Sequence, residues 1–314
     1  MNRRLVGGIV TGLVLGLIFY LNGSKDLDNR QSNEKPVIVV TTSILKDVVK
    51  NIAKDHFSVL SLMGPGVDPH LYNATEGDVR RLYQARVIFY HGHHLEAKMG
   101  DVLAQLSQSK TVLALTEKIP DSDLIFPDGL SSYPDPHIWF DVPLWQKLIP
   151  IIAQTLAKVD PVNASEYEAN ARVYLSKLSE TQAYVLSRLE TLPKEKRVLI
   201  TAHDAFQYFG RAYGFTVKGL QGISTESKAG TQDVSKLADY IASKQIPAIF
   251  VESSVPERQL KAVQAAVKSR GFAVAIADPL FSDALGAEGT KEGTYIGTIR
   301  YNIDTIVTAL KGGN

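Results

Sequence analysis

The stretch Asn163–Leu192, NASEYEANARVYLSKLSETQAYVLSRLETL, decides how this chain is organised. It contains neither proline nor glycine and stops at Pro193, a pattern typical of one uninterrupted helix. At 1.5 Å per residue it would extend about 45 Å, which is enough to cross a whole protein rather than connect neighbouring strands. We therefore expect this helix to join two separately built halves and to allow only limited hinge motion between them.

Both flanks of the long helix alternate β-branched, apolar runs with amphipathic helical stretches. Such alternation is typical of parallel sheets with helices on both faces. The predicted fold class is therefore α/β, with two Rossmann-like lobes joined by one long backbone helix: an N-terminal lobe at 36–158, the linking helix at 159–193 and a C-terminal lobe at 194–314. The predicted strands are Val37–Thr42, Phe57–Met63, Val87–Tyr90 and Thr111–Leu115 in the first lobe, and Val198–Thr201, Thr216–Gly219, Ala248–Val251 and Ala273–Ile276 in the second.

The N-terminus has the pattern of an export signal. Arg3 and Arg4 precede the apolar stretch Leu5–Leu21, as in the charged and hydrophobic regions of a secretory signal. The stretch is also close to the minimum length of a spanning helix, so an uncleaved anchor is the alternative. We expect residues 1–23 to be a signal peptide or N-terminal anchor, residues 24–35 a polar tether, and the protein to be exported to the periplasm or the outer face of the cytoplasmic membrane.

Composition excludes several classes of protein. Lys and Arg number 34 against 33 Asp and Glu, and this near-neutral balance argues against a nucleic-acid partner. Cysteine is absent, which excludes disulfides, thiolate zinc sites and cysteine catalysis. Any transition metal must therefore be held by imidazole and carboxylate groups.

Open parallel sheets place ligands beyond the carboxyl ends of their strands, and four turns at such positions contain histidine or aspartate. His70 follows the second predicted strand, and His137 lies in the connection after the last strand of the first lobe. His203 directly follows the first strand of the second lobe, and Asp278 follows its last clear strand. Taken singly, such histidines are more often structural or solvated loop residues than metal ligands, and an aspartate before proline more often forms a turn. Together, two groups from each lobe predict a closed metal site that suits zinc, manganese or iron(II).

The chain contains several motifs that follow one another in a recognisable order. They resemble the metal-binding solute-binding proteins that serve ABC importers for zinc and manganese, the TroA- and ZnuA-like group, and the resemblance covers nearly all of the chain after the tether. The motifs are Gly66-Val67-Asp68-Pro69-His70, Thr75-Glu76-Gly77-Asp78, Tyr90-His91-Gly92, Asp135-Pro136-His137-Ile138-Trp139-Phe140-Asp141, Thr201-Ala202-His203-Asp204-Ala205-Phe206, Val217–Thr225, Phe250-Val251-Glu252 and Asp278-Pro279-Leu280-Phe281-Ser282-Asp283.

The resemblance implies a metal site made of His70, His137, His203 and Asp278. It implies one transported ion per chain, Mn²⁺ or Zn²⁺ with Fe²⁺ as a further candidate, a membrane permease as partner, and a monomer without enzymatic activity. His203 argues against the manganese-specific type that has Glu at this position. The stretch Ile119–Pro134 lacks the histidine-rich insertion of dedicated zinc scavengers. These features favour the mixed manganese/zinc branch, with manganese as the preferred cargo.

Three other functions remain open at this point. One is a binder of organic solutes, whose melting temperature would rise with ligands such as sugars and not with Mn²⁺ or Zn²⁺. An exported zinc-dependent hydrolase would keep a metal coordination position free for water, and the sequence has no His-Glu-x-x-His run. A surface adhesion protein with a structural metal would unfold when the metal is removed.

Side chains near the four candidates have predicted supporting roles. Glu252, at a strand end, is a candidate hydrogen-bond partner for a ligand imidazole, and Trp139 and Phe140 are expected to wall the cleft. The histidines at 91, 93 and 94 are candidates for an auxiliary site or for packing within a loop.

Overall fold

Eight short strands and ten α-helices are found in the residues that the computed structural model describes, 35–127 and 133–312. The predicted signal or anchor at 1–23 and most of the predicted tether lie outside these residues. None of the helices in the described ranges is long and apolar enough to cross a membrane. The strands are β1 (Val37–Val40), β2 (Ser58–Ser61), β3 (Val87–Tyr90), β4 (Thr111–Ala114), β5 (Val198–Thr201), β6 (Thr216–Gly219), β7 (Ala248–Glu252) and β8 (Ala275–Leu280).

The strands form two parallel sheets with the same order of connections. The first sheet has the order β2-β1-β3-β4 and the second the order β6-β5-β7-β8. All pairings between these strands are parallel, so the connection between successive strands of a sheet must cross back over it, and each such connection contains a helix. The predicted α/β class with two parallel-sheet lobes is confirmed.

Helices cover the sheets and connect their strands. In the first half, Thr42 and Thr75 cap two helix N-termini with their side chains, as short hydroxyl residues at such positions commonly do. The helices are α1 (Ser43–Ala53), α2 (Glu76–Gln84), α3 (Gly100–Ser107), α4 (Val142–Gln146), α5 (Leu148–Val159), α6 (Ala164–Glu190), α7 (Gln207–Tyr213), α8 (Thr231–Lys244), α9 (Arg258–Lys268) and α10 (Tyr295–Lys311).

The predicted long helix is α6, whose 27 residues extend about 40 Å. It contacts α1, α4 and α5 of the first half and α10 of the second, so it packs along both lobes. Its buried side chains recur every three or four positions and so form one stripe along the helix. These residues are Tyr167, Ala171, Tyr174, Leu178, Thr181, Val185 and Leu189.

One hydrophobic core runs through both halves of the molecule. The same cluster of buried side chains includes Ile38 of β1, Trp145 of α4, Tyr174 of α6, Leu199 of β5 and Ile303 of α10. Two smaller clusters lie on the opposite faces of the sheets. The lobes therefore share packed apolar surface along α6.

The last strand differs from its prediction. Pattern placed it at Ala273–Ile276, whereas β8 runs from Ala275 to Leu280. Its register against β7 shifts, since Phe250 pairs with Ala277 but Glu252 pairs with Leu280. The extra residue on β8 forms a bulge, which accommodates Pro279 although proline has no N–H for the ladder.

Candidate metal centre

Four buried side chains converge between the carboxyl ends of the two sheets: His70, His137, His203 and Asp283. One potential ligand atom from each lies within 4.8 Å of all the others. The Nε2 atoms of His70 and His137 are 3.3 Å apart, and Asp283 places Oδ1 3.4 Å from His137 Nε2 and Oδ2 3.3 Å from His203 Nε2. No member is more than 3% exposed. The arrangement can enclose one ion.

The loop after β2 delivers His70. Gly66 adopts φ +71°, a left-handed conformation that glycine takes without the steric cost of a Cβ atom. Asp68 then folds the turn, because its Oδ1 accepts the His70 backbone N–H at 2.9 Å. Asp68 Oδ2 accepts a 2.6 Å hydrogen bond from Thr225 Oγ1, which connects this loop to the second half of the chain.

A buried carboxylate orients His137. Asp135 Oδ1 accepts the His137 backbone N–H at 2.9 Å and lies 2.7 Å from its ring Nδ1. A proton on Nδ1 is therefore stabilised, and the lone pair of Nε2 faces the centre of the site. The Asp-Pro-His tripeptide was the available signal in the sequence, but sequence reasoning assigned Asp135 no role.

His203 follows β5 directly and meets Glu252 at the end of β7. Glu252 Oε1 accepts the His203 backbone N–H at 2.8 Å, and Oε2 lies 2.6 Å from His203 Nδ1 at ion-pairing distance. The predicted contact between Glu252 and a site imidazole is present. Gly219 permits this packing, because a Cβ at that position would lie 2.5 Å from the Asp204 backbone nitrogen and 2.6 Å from the His203 carbonyl carbon.

The fourth group of the cluster is Asp283, whereas Asp278, the predicted fourth ligand, lies outside the cluster. Asp278 lies within β8, is exposed, and lines a surface cavity beside α10 rather than the cluster. The error came from ending the strand at Ile276, which put Asp278 in the first turn beyond it. Asp283 lies three residues after the true end of the strand, within the Phe281-Ser282-Asp283 motif.

Burial and mutual charge set the protonation of the cluster. Burial lowers the pKa of His70 to about 3, so its imidazole is neutral at physiological pH. Burial also opposes a proton on His203, but Glu252 and Asp283 outweigh it and raise the pKa of His203 well above its ordinary value. Although burial opposes ionisation of Asp283, the three imidazoles, His203 foremost, hold the pKa of its carboxyl well below the usual range. The cluster therefore holds an ionised Asp283 carboxylate beside a protonated His203 imidazole.

Several polar atoms of this cluster lack a well-directed hydrogen bond. Across residues 35–127 and 133–312, this holds for both carboxylate oxygens of Asp283 and for Nε2 of His203. Buried polar atoms are normally paired, and leaving them unpaired costs about 1–3 kcal/mol each. A divalent cation at the centre would satisfy all of them at once, so the residues present fit a metal ion.

The remaining predicted features surround the site. The ring of Trp139 packs edge-on to His137 with centroids 5.2 Å apart, so this indole walls the site. Phe140 stacks on Phe206 at 4.2 Å and lies beside Trp139. His91 is fully buried between Trp139 and Trp145.

No second group of metal-ligating side chains involves the histidines at 91, 93 and 94 in the parts of the chain that the structure describes. His91 Nε2 lies 2.8 Å from Thr42 Oγ1, which supports the interpretation of this residue as a packing residue.

The fold and the site together define a class, the two-lobed solute-binding proteins for metal ions. Its features here are two parallel-sheet lobes, a long helix shared by both, and a buried cluster of three histidines and one aspartate between the strand ends. Comparison with known families agrees with this assignment. The chain belongs to the ZnuA family, described as zinc-uptake complex component A, periplasmic, which it matches over residues 38–309.

Similar proteins cover almost the whole chain. It is 46% identical over 303 residues to the zinc-binding protein TroA of Treponema pallidum, spanning 96% of this chain and 95% of the relative. It is 45% identical over 299 residues to the manganese-binding lipoprotein MntA of Bacillus subtilis, spanning 95% and 97%. The solved structure of the periplasmic zinc binding protein TroA from Treponema pallidum superposes with a TM-score of 0.86 at 48% identity, covering 88% of this chain and 99% of that one. The predicted family is confirmed.

Proposed function

We propose that this protein captures one divalent transition-metal ion with His70, His137, His203 and Asp283 and delivers it to the permease of an ABC importer. The observation that carries the proposal is the convergence of three imidazoles and one carboxylate, all buried, within 4.8 Å. The family of periplasmic uptake components and the zinc- and manganese-binding relatives support it.

The donor set accepts both Mn²⁺ and Zn²⁺. Three imidazoles suit zinc, while a carboxylate oxygen is a hard ligand that manganese tolerates well. Oδ1 of Asp283 faces His137 and Oδ2 faces His203, so the carboxylate is placed to give both oxygens to one ion. A fifth donor atom would favour manganese over tetrahedral zinc. We propose manganese as the cargo in the cell, with zinc binding at least as tightly in vitro by the Irving–Williams order.

A transport role fits this site better than hydrolysis. A catalytic zinc site keeps a position open for water, whereas four protein ligands with almost no exposure leave no such position. Purified protein should therefore not hydrolyse ester or peptide substrates. Turnover that disappears on chelation would support the rival function, an exported zinc-dependent hydrolase.

The proposed location is the extracytoplasmic face of the membrane. The periplasmic family and the lipoprotein relatives support export, with residues 1–23 as signal or anchor and 24–35 as tether. The ion-binding part then comprises lobes at 36–158 and 194–314 with the linking helix at 159–193, and we propose that it acts as a monomer.

Two matched substitutions test the ligand set. Asp283→Asn keeps the size of the side chain but removes the charge, and should weaken Mn²⁺ and Zn²⁺ binding by more than about 100-fold, since loss of an outer-shell partner alone costs 10–100-fold. Asp278→Asn makes the same change at an exposed position outside the cluster and should bind as wild type does. Competition titrations with a chromogenic chelator, together with elemental analysis, measure both affinities.

The pair of results separates the possibilities. Weakening by Asp278→Asn but not by Asp283→Asn would restore Asp278 as the ligand and refute the geometry proposed for the centre. A wild-type protein that binds no stoichiometric metal would refute the function itself.

A further inference from the structure

The loop that bears Asp283 is hydrogen-bonded to both halves of the molecule. On the side of the second sheet, the Asn302 side chain of α10 holds the backbone of Phe281, accepting its N–H at 3.1 Å and donating to its carbonyl at 2.8 Å. On the side of the first half, Trp139 Nε1 donates to the Ser282 carbonyl at 2.9 Å, and Ser43 Oγ accepts the Leu285 backbone N–H at 2.9 Å. The loop bearing Asp283 is therefore not anchored by its own lobe alone.

The hydrogen bond from Trp139 to Ser282 joins the two chain segments that bear the proposed ligands His137 and Asp283. Trp139 lies two residues after His137, and Ser282 immediately precedes Asp283, although the two segments are 143 residues apart in the chain. Both ends of the bond are buried. Separating them would leave an indole N–H and a carbonyl without partners in an apolar environment, which is costly unless water enters.

The indole itself has little freedom to move. Its ring packs edge-on to His91 with centroids 4.8 Å apart and to His137 at 5.2 Å. The carbonyl of Trp139 accepts a 2.7 Å hydrogen bond from Tyr295 Oη at the start of α10. The buried His91, which the ligand set does not use, thus helps to fix the ring that holds Ser282.

His203 is held differently. Its backbone N–H and its Nδ1 meet Glu252 of β7, within the second sheet, and its Nε2 lies 3.3 Å from Asp283 Oδ2. The segments of His137 and Asp283 are instead joined by the indole hydrogen bond across the two halves. We propose that Trp139 is a positioning residue that fixes the Asp283 carboxylate against His137, so that these two ligands stay together as a unit while the site opens between them and His203. This inference rests on the proposed function, because it concerns how the same site retains its ion.

The test compares two tryptophan-to-phenylalanine substitutions in the full chain. Trp139→Phe keeps an aromatic ring but removes the N–H, whereas Trp145→Phe makes the same change at an equally buried indole whose Nε1 has no hydrogen-bond partner among the described residues. Stopped-flow release of Zn²⁺ and of Mn²⁺ into excess chelator gives the dissociation rate, and competition titration gives Kd. We expect Trp139→Phe to raise both by about tenfold, the effect of one lost buried hydrogen bond, and Trp145→Phe to change neither by more than about twofold.

Thermal melting of both metal-free variants separates positioning from packing. Similar losses of Tm with different release rates would support the inference. If Trp139 had a merely structural role, the two variants would change in both Tm and release rate to the same extent. Equal release rates for the two variants would overturn it. If Trp139→Phe does not fold, Ser43→Ala decides instead. Faster release is expected, because this substitution removes a second hydrogen bond from the first half to the Asp283 loop, the one accepted from the Leu285 backbone N–H. Unchanged release would overturn the inference. Wild-type protein that binds no metal would count against the proposed function rather than against the role of Trp139.

Discussion

At the scale of single residues, the imidazoles of His137 and His203 each have two distinct edges. Nε2 faces the centre of the cluster, while Nδ1 faces a buried carboxylate, Asp135 in one case and Glu252 in the other. A carboxylate at Nδ1 fixes the tautomer and the ring orientation and makes Nε2 a better donor to a metal. The two carboxylates also add negative charge around a dication. They are therefore as much part of the site as its proposed ligands.

Glu252→Gln tests this role. The amide keeps the shape of the side chain but loses the charge next to His203, so affinity for Mn²⁺ and Zn²⁺ should fall by about 10–100-fold. Glu96→Gln is the matched control, because Glu96 is equally buried but holds Thr41 and the backbone of His91 instead of a proposed ligand. Competition titration measures both variants. Equal affinities for Glu252→Gln and wild type would show that the contact with His203 does not support metal binding.

Acid should weaken metal binding through His203. Glu252 and Asp283 overcome the effect of burial and raise the pKa of His203, so the metal-free site holds a proton there that an incoming ion must displace. Each unit by which pH falls below that pKa should lower affinity by about tenfold for one displaced proton. His70 adds nothing to this slope above about pH 3, because it is already neutral. Titrations from pH 5 to 8 check the slope, and an affinity independent of pH would contradict it.

At the scale of elements, local pattern was reliable where burial follows a simple period. The apolar stripe of α6 recurs every three or four residues, and the helix was predicted to within two residues at each end. Strands β3, β5 and β6 were predicted with their observed bounds, and each begins with a β-branched residue, a type favoured in strands. The bounds of β1, β2, β4 and β7 differ from the prediction by one or two residues at an end. The largest error was at β8, where the bulge and Pro279 break the alternation on which strand prediction depends.

The error in the bounds of β8 changed which aspartate was expected in the metal site. Because the strand was ended four residues too early, the expected ligand was Asp278 rather than Asp283, the aspartate found in the cluster. The sequence offers two aspartates in one motif, both close to a strand end. Only the pairing register with β7 shows which of them reaches the other strand ends, since the register depends on residues far away in the chain.

At the scale of the whole molecule, the shared hydrophobic core couples the two lobes. One buried cluster includes side chains from β1, α6, β5 and α10, so the largest part of the core is shared by the two lobes. A single long helix packed along both halves also restricts how far they can separate. The expected opening is thus a small rearrangement around His203 rather than a wide hinge movement.

This coupling predicts one cooperative thermal transition that metal shifts upward. Calorimetry of the metal-free protein should show a single peak, and free metal at 100 times Kd should stabilise the fold by about 2.7 kcal/mol. A structural metal would behave differently, since its removal would abolish the transition. Two separate peaks, of which metal shifts only one, would show that the lobes unfold independently.

The sequence by itself determined the class of fold, the long helix, the family and three of the four residues of the cluster. These follow from local periodicity and from short motifs in which His70, His137 and His203 occupy fixed places beside strand ends. The tertiary structure alone decided the fourth residue, the pairing of His137 with Asp135, and the attachment of the Asp283 loop to Trp139. The physical reason is that strand register and buried hydrogen bonds join segments far apart in the chain, and no local pattern encodes which distant groups they bring together.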